Sequence, residues 1–159
     1  MTNPWLILQI MIGYLLFVKV IGKRLMENRK PFNLNKIINY YNLCQIVLNL
    51  VCAIITVNYS YMQKGYDYLC QVPPYNDDTH AGSKLLTMTY MYFILKIVDL
   101  MDTVFFVLRK KNNQVTFLHV YHHVLMVLAT YVHIKYYSGA GQCLLLGIYF
   151  NNNYVVIFY

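Results

Sequence analysis

The sequence predicts an all-α membrane protein, a polytopic bundle of transmembrane helices forming a single domain over residues 1–159, and three observations carry that prediction. First, 58% of the residues are hydrophobic and only 12% are charged, against roughly a quarter charged in an ordinary soluble domain. Second, the apolar residues fall into five stretches, each near the ~20 residues a helix needs to cross about 30 Å of hydrocarbon. Third, Lys and Arg concentrate in particular loops, the signature of a chain that has chosen sides of a membrane.

The first stretch, about 4–22, carries one charge, Lys19, near an end where its ammonium can snorkel to the headgroups. It lacks a basic leader region and runs into a basic loop, the pattern of a retained span, not of a signal peptide. A second span covers about 37–59. The third, about 85–108, holds Lys96, Asp99 and Asp102 where charge is costly. The fourth, about 115–137, holds His119, His122, His123 and His133, and the fifth occupies about 140–159. Cys44 and Cys52 lie in a span, Cys143 at the edge of one and Cys70 in a loop; no C-x-x-C motif or paired framework is present.

The net charge of +7 is topological in this setting and does not point to nucleic acid. Lys23, Arg24, Arg29, Lys30 and Lys36 crowd the loop after the first span against Glu27, and Arg109, Lys110 and Lys111 follow the third with no acid. The loop 60–84 instead sets Lys64 and Lys84 against Asp67, Asp77 and Asp78. The positive-inside rule therefore puts the first and third loops in the cytoplasm and the second on the far side. At about 1.5 Å per residue, Asp102 and the histidine trio both lie roughly 7–14 Å inside the cytoplasmic edge. A short loop joins their helices, which favours antiparallel neighbours, so the acidic and histidine faces are expected to meet.

Lys96, Asp99 and Thr103 stand at i, i+3 and i+7, one helical stripe, with Asp102 beside Thr103. A Lys among carboxylates keeps its charge because each offsets the other's desolvation. His119, His122 and His123 stand at i, i+3 and i+4 and share a face, whereas His133 reads as a packing residue. Three chemistries compete for the trio. A diiron centre would resemble the histidine boxes of membrane desaturases, but it needs several boxes, and only His80 and His133 remain. A mononuclear metal held with Asp99 or Asp102 fits the spacing. Metal-free acid–base or nucleophilic catalysis, with a carboxylate orienting an imidazole, fits it too.

The run "KIVDLMDTVFFVLRKKNNQVTFLHVYHH", Lys96 to His123, closely resembles the linked motifs of the very-long-chain fatty acid elongases, K-x-x-E-L-x-D-T, F-F-V-L-R-K-K and Q-V-T-F-L-H-V-Y-H-H. "RKPFNLNKIINYYNLCQIVLN" is similar to that family's stretch between its first two spans. The resemblance implies a seven-helix bundle in the endoplasmic reticulum membrane around an acyl tunnel. It implies a 3-oxoacyl-CoA synthase that condenses long-chain acyl-CoA with malonyl-CoA, with no metal or redox cofactor, among membrane lipid and other microsomal elongation enzymes. His119, His122, His123, Asp102, Lys96 and Asp99 become the expected catalytic set, and Arg109, Lys110, Lys111 and Gln114 candidates for binding CoA.

The chain departs from the pattern at Asp99, where the family has Glu, and in "FNNNYVVIFY", where Asn153 or Tyr154 stands for a fifth-span histidine. The resemblance implies two further spans and a basic tail beyond Tyr159, so a C-terminally truncated member is the expectation. The competing expectation is an inactive elongase-like membrane protein that serves as a binding partner.

Overall fold

Asn3 and Pro4 begin the first helix by a familiar division of labour. The Asn3 side chain accepts the Trp5 amide at 3.2 Å, and Pro4 occupies a first-turn position whose missing N–H costs nothing. The computed structural model describes residues 3–58, 62 and 80–136, with side chains over 3–58, 62 and 87–135. Helix α1 is Pro4–Leu16, and it passes through a π-helical turn, Phe17–Ile21, into α2, Gly22–Glu27. Helix α3 is Asn35–Thr56, α4 is His80–Val98, α5 is Leu100–Leu108 and α6 is Phe117–Tyr136. No strand occurs among the described residues.

Three of these helical runs are long and apolar enough to cross a membrane: Pro4–Glu27, Asn35–Thr56 and Phe117–Lys135. They overlap the first, second and fourth apolar stretches of the sequence. The third expected span has the length but is not one uninterrupted helix. A turn at Asp99 separates α4 from α5, and the Asp102 amide bonds the Asp99 carbonyl at 3.2 Å, three residues back. The fifth expected span, the loop with Cys70, and Cys143 lie outside the described residues.

Around an apolar core, the outer surface is apolar and several polar groups turn inward, as a hydrocarbon solvent favours. Large apolar side chains such as Trp5, Ile12, Leu43, Leu50 and Leu125 face outward, while Lys96, Thr103, His119, Thr130 and His133 are buried. The core joins Ile7, Met11, Tyr14 and Val18 of the first span to Phe93, Leu100 and Val107 of the third, and to Val120, Val127, Tyr131 and Ile134 of α6. Helix α4 packs on α6 and α3, and α5 lies against the π-helical turn and α2. The antiparallel pairing expected for the third and fourth spans is therefore present, with Phe93 and Tyr131 rings 6.2 Å apart across it.

The close approach of α5 to the first span depends on Gly22. Its amide donates to Phe17 O, five residues back, which closes the π-helical turn. A Cβ there would stand 2.7 Å from Val107 Cγ1 and 2.8 Å from Phe17 O, and the latter is backbone that cannot swing away. Gly22→Ala is accordingly expected to destabilise the bundle by about 1–3 kcal/mol, the usual cost of overpacking. Thermal unfolding in mild detergent measures this, and an unchanged midpoint would show that α5 does not seat on the first span as described.

Helix α5 ends in a Schellman turn without glycine. The amide of Lys110 bonds Val107 O at 3.0 Å and that of Lys111 bonds Phe106 O at 2.9 Å, with Lys110 in the left-handed region at φ 57°. That conformation costs a side-chain-bearing residue about 1–2 kcal/mol. It lets Lys110 reach across, where Nζ donates to Glu27 O at 3.1 Å. Beside it, the Phe32 amide donates to Leu108 O at 3.2 Å. The loop after α2 and the loop after α5 are thus stitched together, side chain to backbone and backbone to backbone.

Candidate functional site

Helix α6 opens on a capped turn that sets the histidine face. Thr116 precedes the helix, and its Oγ1 accepts the His119 amide at 3.2 Å, satisfying an N–H that a helix start otherwise leaves unpaired. His119, His122 and His123 then cluster as their spacing predicts. Ring centroids of His119 and His123 are 4.5 Å apart, and those of His122 and His123 are 5.7 Å apart, both pairs edge to face. Phe106 of α5 lies 5.5 Å from His119 and walls one side. Among the described residues, no three His, Cys, Asp or Glu side chains converge as a metal would require.

The opposing face is built at the α4–α5 turn. Lys96 Nζ meets Asp99 Oδ2 at 2.7 Å, and it also lies 4.9 Å from the centre of the Tyr92 ring. The second Asp99 oxygen accepts from Gln45 Nε2 at 2.7 Å. Gln45 also donates to Tyr41 OH at 3.1 Å, which in turn donates to Val98 O at 3.1 Å. The Asp99 carboxylate is therefore held from α3 and α4 at once, and of these two contacts one neutralises its charge and the other donates to it. Tyr41 adds an edge-on contact to Phe105, with ring centres 5.3 Å apart.

The two faces act on one another. His122 lies within electrostatic reach of both Lys96 and Asp99, and His123 within reach of Lys96. His122 Nε2 is buried and has no hydrogen-bonding partner among the described residues. Asp102 lies within electrostatic reach of Asp99, Tyr41 and Lys96. The group placed against the trio is the next residue, Thr103, whose Oγ1 is 3.1 Å from His119 Nε2. Thr103 also makes a 2.8 Å bond to Tyr14 OH of α1. Lysine, carboxylates, hydroxyls and three imidazoles thus occupy one buried locus, a set able to move protons and to stabilise a developing anion.

A family model described as "ELO: GNS1/SUR4 family" matches residues 1–159. The chain belongs to the ELO family. Very long chain fatty acid elongase F of Drosophila melanogaster is 40% identical over 148 residues, 91% of this chain and 57% of that protein. Very long chain fatty acid elongase 4 of Homo sapiens is 40% identical over 159 residues, 100% of this chain and 49% of that protein. Very long chain fatty acid elongase 7 of Rattus norvegicus is 40% identical over 126 residues, 79% of this chain and 44% of that protein. The chain spans about half the length of these curated relatives. Family and helices together describe a multi-pass membrane protein.

In this ELO chain the basic candidates lie apart from the buried cluster. Arg109 caps α5 and is half-buried, and Lys110 and Lys111 are exposed in the following turn. The Gln114 amide donates to Lys111 O at 3.0 Å, and its Oε1 is buried without a partner among the described residues. His133 is buried further along α6. Sequence reasoning did not single out Gln45, Tyr41 or Tyr14. A signal for the first two was present, because Tyr41, Gln45 and Asn49 recur every four residues in an apolar helix and so form a polar stripe. Tyr14 is one of 17 tyrosines and carries no such mark.

Proposed function

We propose that this ELO chain carries the condensing site of fatty acid elongation, joining a long-chain acyl-CoA with malonyl-CoA. Decarboxylation of malonyl-CoA leaves an electron pair on its C2, which forms the new bond to the acyl carbonyl carbon. The thioester C–S bond breaks, the CoA thiolate takes up a proton, and 3-oxoacyl-CoA, CO2 and CoA are the products. The observation that carries the reading is the pairing of Lys96 and Asp99 opposite His122 and His123 in one buried site, in a chain of the ELO family. The names of the relatives support the same reading.

In this proposal His122, whose Nε2 is buried with no hydrogen-bonding partner among the described residues, accepts the acyl group or delivers the proton to the leaving thiolate. His123 handles protons beside it, while His119, held by Thr103 Oγ1, and Asp102, beside Asp99 and Lys96, belong to the surrounding polar network. Lys96 and Asp99 hold the facing helix. Arg109, Lys110, Lys111 and Gln114, in the turn that follows α5, meet the CoA phosphates and amides. The endoplasmic reticulum membrane and contact with other microsomal elongation enzymes complete the proposal.

The test is expression of the chain in microsomes with labelled malonyl-CoA and a panel of saturated and unsaturated acyl-CoAs, beside His122→Ala. Label extended by two carbons in the wild type and at least about 100-fold less in the variant is the expected result. Label no higher than in the variant across the whole panel would mean that the chain does not condense these substrates.

A further inference from the structure

We infer that Tyr14 and Thr103 are positioning residues for His119, a two-hydroxyl relay from the first span that decides which ring nitrogen of that imidazole carries the proton. Three elements far apart in sequence supply the chain of contacts. Tyr14 OH of α1 lies 2.8 Å from Thr103 Oγ1 of α5, and Thr103 Oγ1 lies 3.1 Å from His119 Nε2 of α6. Thr103 is 0% exposed and Tyr14 belongs to the core, so the relay runs through the packed interior.

The polarity of the relay follows from counting protons. Each hydroxyl owns one, and each must find an acceptor when buried, at a cost of about 1–3 kcal/mol if it does not. Tyr14 OH has Thr103 as its hydrogen-bonding partner among the described residues. If Thr103 gave its proton to Tyr14, the phenol proton would be left without an acceptor among the described residues. Tyr14 therefore donates to Thr103, Thr103 donates to His119 Nε2, and a neutral His119 keeps its proton on Nδ1. Nε2 of His119 is thereby occupied and unavailable as a base or nucleophile. That leaves His122 and His123 as the imidazoles that meet substrate. This last step rests on the proposed condensing activity; the tautomer of His119 does not.

Two measurements keep those questions apart. Nitrogen NMR of 15N-histidine-labelled chain in lipid bilayers, with His119 assigned as the signal lost in His119→Gln, reads the tautomer directly. The expected result is a protonated Nδ1 in the wild type, kept in Thr103→Ser and altered in Thr103→Val. Tyr14→Phe removes only the outer hydroxyl and is expected to move the His119 signals part of the way. A proton on Nε2 in the wild type, or signals unmoved by Thr103→Val, would overturn the relay. In the condensation assay, Thr103→Val is expected to lower kcat about 10- to 100-fold, the usual loss when an orienting partner is removed. KM should stay within about 2-fold, and Thr103→Ser should recover most of the rate. A loss that serine does not rescue would overturn the relay as the cause.

Discussion

Lys96→Met is expected to be the most destabilising single substitution in the bundle, costing about 3–5 kcal/mol. Lys96 is 6% exposed, and its partner Asp99 lies 2.7 Å away. Removing the ammonium strands a carboxylate in a low-dielectric interior with Gln45 Nε2 as its remaining side-chain donor among the described residues. The attraction between the charges need not be the source of the loss, since buried pairs roughly offset their own desolvation; the unpaired charge is. Removing the stranded charge as well should reverse much of the loss. Asp99→Asn placed on the Lys96→Met background keeps an oxygen for Gln45 and removes the charge, so at least half of the lost stability is expected to return. The midpoint of unfolding in mixed detergent micelles, followed by circular dichroism, gives both numbers. A double variant no more stable than Lys96→Met would show that packing, not charge, governs this position.

His122→Gln is expected to carry the largest effect on turnover. Its imidazole is half-buried, and Nε2 lacks a partner among the described residues while Lys96 and Asp99 act on the ring electrostatically. Glutamine preserves size and hydrogen-bonding ability but cannot shuttle a proton or take an acyl group. A fall in kcat of about 10²- to 10⁴-fold is the range for losing a proton-transfer group, with KM for acyl-CoA changed less than about 3-fold. His133→Ala, a buried histidine further along α6, serves as the comparison and is expected to retain turnover within about 2-fold. Equal losses in both variants would mean that His122 acts through the packing of α6 and not through its nitrogen.

Much of this arrangement was legible in the sequence because helical spacing and membrane cost are strong constraints. Charges that hydrocarbon excludes must face inward, so Lys96, Asp99 and the histidine trio had little choice but to meet. Other features leave no such trace. The π-helical turn at Phe17–Ile21 sits in a uniformly apolar run, where one extra residue in a turn disturbs no visible pattern. The turn at Asp99 interrupts a stretch with neither proline nor glycine nearby. The Schellman turn uses Lys110 where glycine is the usual marker. Gln45 could be noticed as part of a polar stripe, but only the packing of α3 on α4 joins it to Asp99. Neutral hydrogen-bonding groups are cheaper to bury than charges, and so they reveal their positions less clearly from composition.

The stitch between the two loops also orders events in time. Glu27 O finds Lys110, 83 residues later in the chain, and the Phe32 amide waits for Leu108. At translation rates of about 5–20 residues per second, that partner emerges roughly 4–17 s after the first span does. Until then the first two helices can insert but cannot lock, and their loop stays open to whatever handles nascent chains. Completion of α5 is thus the moment when the loop after α2 can first be tied down.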